Sequence, residues 1–210
     1  TSPGEPIDED APFDAKLPYR ASKIRTEAML REEKGDEKLV LMRPAGIYDD
    51  EGHSTFLAHQ IARIHEKRFS GKVYPGDLAR GQAFLHLDDL LDAVDRIVDR
   101  RADLPDVFPV LLGETDPIPF GELQRLIGRE LHGEEWVTWN IPPKLAKIGA
   151  WTDNRIFGED AFIRAWMVDI SSDHYELDLT QAKKHLGWQP QHSLRADIPR
   201  IAQKLKSDPY

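Results

Sequence analysis

Cysteine is absent from the 210 residues, which excludes disulfides and thiolate metal sites. No apolar run approaches the roughly 20 residues that a membrane-spanning helix needs. Basic blocks are missing too: 28 Lys and Arg stand against 37 Asp and Glu, a net charge of −9. That balance argues against nucleic acid or an anionic membrane as the main partner, although a few local arginines would serve a phosphorylated small molecule. Among the 14 glycines no two are separated by a single residue, so Gly-x-Gly occurs nowhere. The close backbone approach that a dinucleotide's phosphates require therefore has no candidate turn. There is no internal repeat and no low-complexity segment.

What is present reads as a water-soluble globular chain, 40% hydrophobic and 31% charged. Residues 1–17 are acidic and Pro-rich and suit a surface loop. Pro18 fits a first helical turn, and a helix is expected over about 18–34, up to Gly35. Lys38–Arg43 is a short apolar run, as in a strand buried on both faces, closed by Pro44-Ala45-Gly46. Further helices are expected at 54–67, 88–101, 120–131, 179–186 and 195–206, with strands at 72–74, 83–87, 107–112 and 136–140. The alternation points to an α/β fold. Residues 142–168 gather Trp151, Phe157, Phe162, Trp166 and Met167, for which core packing is the leading reading.

Tyr19 and Lys23, in Pro18-Tyr19-Arg20-Ala21-Ser22-Lys23, are four apart and share a helix face. A free phenol titrates near ~10, so bringing one to neutrality takes about 4 kcal/mol of preference for the phenolate. An ammonium about 4 Å away supplies roughly that much at an effective dielectric of about 20. Such a pair is a usable proton shuttle. Spacing alone is weak, since Tyr-x-x-x-Lys arises by chance about 0.3 times in a chain of this composition.

The ordered context is more specific. Pro-Tyr-Arg-Ala-Ser-Lys resembles the active-site helix of the extended short-chain dehydrogenases/reductases, the NAD-dependent epimerase/dehydratase family. Pro6-Ile7-Asp8-Glu9-Asp10-Ala11-Pro12 is similar to its acidic loop before the tyrosine. Leu41-Met42-Arg43-Pro44-Ala45-Gly46-Ile47-Tyr48 resembles its strand and turn under the nicotinamide. Phe84-Leu85-His86-Leu87-Asp88-Asp89-Leu90 resembles its strand-to-helix "hVDD" segment. Asp178-Leu179-Thr180 with Lys184-His185-Leu186-Gly187-Trp188-Gln189-Pro190 resembles its closing segment.

The resemblance implies an incomplete Rossmann-type parallel sheet, formed by 1–50 with 83–112. A small α/β substrate lobe would occupy most of 51–210. It implies Tyr19 as general acid/base and Lys23 as the residue that holds the nicotinamide ribose and assists the phenol. Pro44, Ala45 and Gly46 would face the nicotinamide of NAD or NADP. The family's catalytic Ser or Thr and its glycine-rich cradle are expected upstream of residue 1. The chain is thus expected to be a C-terminal portion, inactive alone and without tight NAD binding. Nucleotide-sugar epimerases commonly carry Asn at the Gly46 position and Arg near Gln82. Gly46, Gln82 and the nearby Arg80 are the candidate substrate contacts, toward a sugar-like or other small hydroxylated molecule. The rival reading is a non-catalytic dinucleotide-sensing or protein-interaction scaffold on the same fold. A homodimer through the helix at about 18–34 and a cytoplasmic location are expected of the parent enzyme.

Eight histidines show no ligand spacing, and no metal site is expected. Asp88 is expected to cap the helix that follows it rather than to pair with Asp89 in acid/base work.

Overall fold

The computed structural model describes residues 6–13, 15, 17–141 and 174–207. The expectations for 142–168, including its five large side chains, lie outside the described residues. Two compact units emerge, Thr1–Ile47 with Ala83–Pro117 and Tyr175–Ser193, and Tyr48–Gln82 with Ile118–His174 and Leu194–Tyr210.

In the first unit, α1 (Pro18–Glu33) leads into β1 (Leu39–Pro44). β2 (Gly46–Tyr48) follows and pairs with β4 (Phe84–His86). β4 runs directly into α3 (Leu87–Asp99), and β5 (Val107–Leu112) returns beside β1. β1 and β5 are parallel, in register from Leu39 opposite Val107 to Pro44 opposite Leu112. A parallel pair joined through a helix is the unit of a Rossmann-type sheet. Alternate β5 amides point away from β1. Leu111 N–H therefore goes to the Glu9 carboxylate instead (2.8 Å). Pro109 has the same parity, so its missing donor falls on the side away from β1.

Leu85, Ala93, Phe108, Val110, Leu112, Leu186 and Trp188 form the core of this unit. The segment after 174 closes it. Ile7 bridges Leu177, and a turn of π-helix at Ala182–Leu186 ends at Gly187 in the left-handed region (φ 61°).

The second unit packs α2 (Thr55–His65), α4 (Phe120–His132) and α5 (Leu194–Ser207) through Leu57, Ile61, Ile64, Leu123, Ile127, Ile198 and Ile201. These positions repeat at three and four residues, so each helix presents one apolar stripe. β3 (Val73–Tyr74) and β6 (Trp139–Asn140) form a short parallel ribbon, with Tyr74 stacked on Phe120 at 3.8 Å. Strand structure covers only the last two residues of the expected 136–140. Trp136 is instead buried, donating its indole N–H to the Gly71 carbonyl (2.7 Å). No helix among the described residues is long and apolar enough to cross a membrane.

One capping expectation is corrected. His86, not Asp88, caps α3: the His86 Nδ1 accepts the Asp88 amide (3.1 Å) and the helix starts at Leu87. Asp88 already lies in the first turn, and its neighbour Asp89 is the buried carboxylate.

Candidate active site

α1 begins with Pro18 in its first turn, where a missing N–H costs nothing. Tyr19 follows and is 72% exposed. Lys23 lies one turn on, its ammonium 5.3 Å from the Tyr19 ring centroid. The two side chains therefore converge on one side of the helix, toward solvent. Next to Tyr19, Arg20 donates to the Tyr175 hydroxyl (2.9 Å) and ties the first turn to the segment after 174.

Pro44 ends β1, and the Ala45 amide donates to the Leu112 carbonyl (2.8 Å). At Gly46 a Cβ would sit 3.2 Å from two carbons of the Phe84 ring. A side chain there would press on the ring, which would have to give by a few tenths of an ångström. Arg80 and Gln82 belong to the second unit. Arg80 bonds Asp77 through its Nε (3.3 Å), and Gln82 is exposed. Between them Gly81 has no room for a side chain, since a Cβ would lie 2.1 Å from the Ile118 carbonyl oxygen.

Two charged clusters were not legible in the sequence. In the first, Arg43 grips Glu27 of α1 with two nitrogens (3.1 and 2.5 Å) and donates to the Glu9 carbonyl (2.6 Å). Partial burial pushes the Glu27 carboxyl up, but the hydrogen bonds from Arg43 and Arg31 outweigh it and hold it below its ordinary value. In the second, the buried Asp89 accepts the amides of Gln191 (3.1 Å) and His192 (3.0 Å) and the His192 Nδ1 (3.0 Å). Trp188 donates its indole N–H to the Asp89 carbonyl (3.0 Å).

Ligand atoms of His86, Asp88 and His192 lie within 4.8 Å of one another. The His86 and His192 rings are stacked at 4.0 Å with planes 17° apart. Lone pairs in near-parallel planes do not converge on one ion, and the His86 Nδ1 is already the helix cap. This trio closes α3 onto the C-terminal segment; it is not arranged as a metal centre.

The NAD dependent epimerase/dehydratase family model matches residues 1–110. The chain belongs to that family. Solved structures of this extended short-chain dehydrogenase/reductase class superpose on it. A UDP-glucose-4-epimerase from Stenotrophomonas maltophila, with bound NAD and formylated UDP-arabinopyranose, is 17% identical with a TM-score of 0.66, covering 96% of this chain and 58% of its own. RMD from Pseudomonas aeruginosa, complexed with NADPH, is 16% identical with a TM-score of 0.65, covering 96% and 60%. The UDP-glucose 4-epimerase from Bifidobacterium longum, in complex with NAD+ and UDP, is 17% identical with a TM-score of 0.66, covering 97% and 59%. This member of the family thus spans about three fifths of the length of the structures it matches. No curated protein matches it. At these identities the likeness establishes the partial Rossmann-type fold alone.

Proposed function

We propose that this chain supplies the acid/base half of an NAD(P)-dependent epimerase, dehydratase or oxidoreductase acting on a sugar-like or other small hydroxylated substrate. The observation that carries the reading is the convergence of the exposed Tyr19 phenol and the Lys23 ammonium on one side of α1. The phenol passes a proton to or from a substrate hydroxyl, and the ammonium beside it holds a ribose hydroxyl and steadies the phenolate. The turn Pro44-Ala45-Gly46 offers backbone groups to a carboxamide. Bound at these residues, a nicotinamide would take or return the hydride. The residues present fit only that end of a dinucleotide, because no Gly-x-Gly exists to cradle its phosphates. The isolated chain is therefore inactive, and NAD titrated into it by calorimetry should show no micromolar binding. Exposed Met29 and Leu30 on α1 support a dimer contact along that helix in the whole enzyme.

The test is Tyr19→Phe in the enzyme that carries this chain. Turnover should be abolished with cofactor binding near normal; surviving turnover overturns the mechanism. The second reading, a dinucleotide-sensing or interaction scaffold, draws support from Gly46 and Gln82, which lack the donor and the cation common in nucleotide-sugar epimerases. It predicts that Tyr19→Phe changes nothing measurable.

A further inference from the structure

We propose that Arg43 is a positioning residue for Tyr19, a clamp that fixes three elements of the site at once; the proposal rests on the Tyr19–Lys23 reading above. α1 has no fully buried residue, and only Ala21 and Ile24 among its apolar side chains are half-buried, so apolar packing alone sets its rotation weakly. Its N-terminus has no side-chain cap either. Glu27 follows Lys23 by one further i,i+4 step on the helix that carries Tyr19. Arg43 holds Glu27 in a two-nitrogen grip, and both side chains are well shielded, at 18% and 14% exposed. A planar guanidinium meeting a carboxylate through two bonds fixes orientation as well as distance.

The same guanidinium reaches the loop that leads into Tyr19. It donates to the Glu9 carbonyl (2.6 Å) and lies over the Phe13 ring at 4.8 Å. Glu9 is held from the other side by the Leu111 amide of β5. Arg43 itself sits on β1 immediately before Pro44-Ala45-Gly46. One side chain thus links the entry loop, the helix bearing the phenol and the strand bearing the turn. A lysine there concentrates its donors on one nitrogen and lacks the planar fork that meets both Glu27 oxygens while a third N–H reaches Glu9.

The test uses the 210-residue chain with ¹³C-labelled tyrosine, Tyr19→Phe identifying the Tyr19 signal. Arg43→Met, Arg43→Lys and Glu27→Gln are compared by amide exchange and by pH titration of the Tyr19 phenol carbon. Arg43→Met and Glu27→Gln should each lower protection in α1 by roughly 10-fold while β5 amides keep theirs. Both should move the Tyr19 titration in the same direction, because both release the helix, and Arg43→Lys should fall between wild type and Arg43→Met. The two substitutions remove charges of opposite sign, so a purely Coulombic influence would move the titration in opposite directions. Opposite movement overturns the proposal, as does an unmoved Tyr19 signal. If Arg43→Met also loses β5 protection, Glu27→Gln, which leaves β1 untouched, decides by the same two readouts. Neither readout needs turnover, so a failed clamp is distinguishable from a failed assignment of Tyr19 as acid/base.

Discussion

Asp88 and Asp89 are adjacent carboxylates in one helical turn, and the structure gives them unequal weight. Asp89 is 3% exposed and takes two backbone amides and an imidazole nitrogen from residues 191 and 192. Asp89→Asn keeps the shape but removes the charge and replaces one acceptor oxygen with a donor facing those N–H groups. Hydrogen bonds to a charged group contribute about 1.5–3 kcal/mol each, and at least one is lost outright with a second weakened. A cost of about 3 kcal/mol is expected. For a chain of this length that lowers the melting temperature by roughly 6–12 °C. Asp88 is exposed and contributes its interaction with the helix N-terminus, so Asp88→Asn should cost less than about 1 kcal/mol. Thermal unfolding gives the totals, and amide exchange at Gln191 and His192 gives the local effect. If Asp88→Asn costs as much as Asp89→Asn, the assignment of the buried carboxylate as the closing residue is wrong.

Two further outcomes follow from the same geometry. Gly81→Ala drives a methyl to 2.1 Å from the Ile118 oxygen, a backbone atom that cannot step aside, and should destabilise the second unit by more than ~3 kcal/mol. Gly133→Ala, at φ 73° with nothing within 4 Å, should cost only about 1 kcal/mol; comparable urea midpoints for the two would contradict this account. For acid sensitivity the sign is set by Glu27, whose folded-state carboxyl lies below its ordinary value of 4.5. Its stabilisation is complete above that value and is lost as pH falls through the lower, folded one. Amide protection in α1 should therefore decline below pH 4.5 in wild type, and Glu27→Gln should remove that step.

The elements were legible because their signals are local. The apolar runs at 39–44 and 107–112 and the three–four periodicity of α2, α4 and α5 need only a few neighbouring residues to be read. The side chains that stitch these elements together carry no such signal. Asp89 reaches His192 across 103 positions and Gln124 reaches Gln60 across 64, and spacing within one sequence does not reveal such partners. The capping error has the same origin. Asp at the start of a helix is the favoured cap by residue type, yet the His86 ring takes that place, stacked on His192 from a distant segment. Gly46 was legible as a departure from a pattern, but the Phe84 ring beside it is seen only once β2 pairs with β4.

Burial and orientation are separated in this chain. The strands are fixed largely by apolar packing, which tolerates small rotations because many contacts share the load. α1 has no fully buried residue and is held in part by polar clips, Arg20 to Tyr175 at its first turn and Arg43 to Glu27 at its middle. Hydrogen bonds of that kind are directional, so they define the helix's rotation more sharply than an apolar face would. Proton transfer depends on placing an oxygen within hydrogen-bond reach of its partner. If α1 aims a phenol, as proposed, directional clips serve that end better than burial, and Tyr19 lies on a helix held in that way.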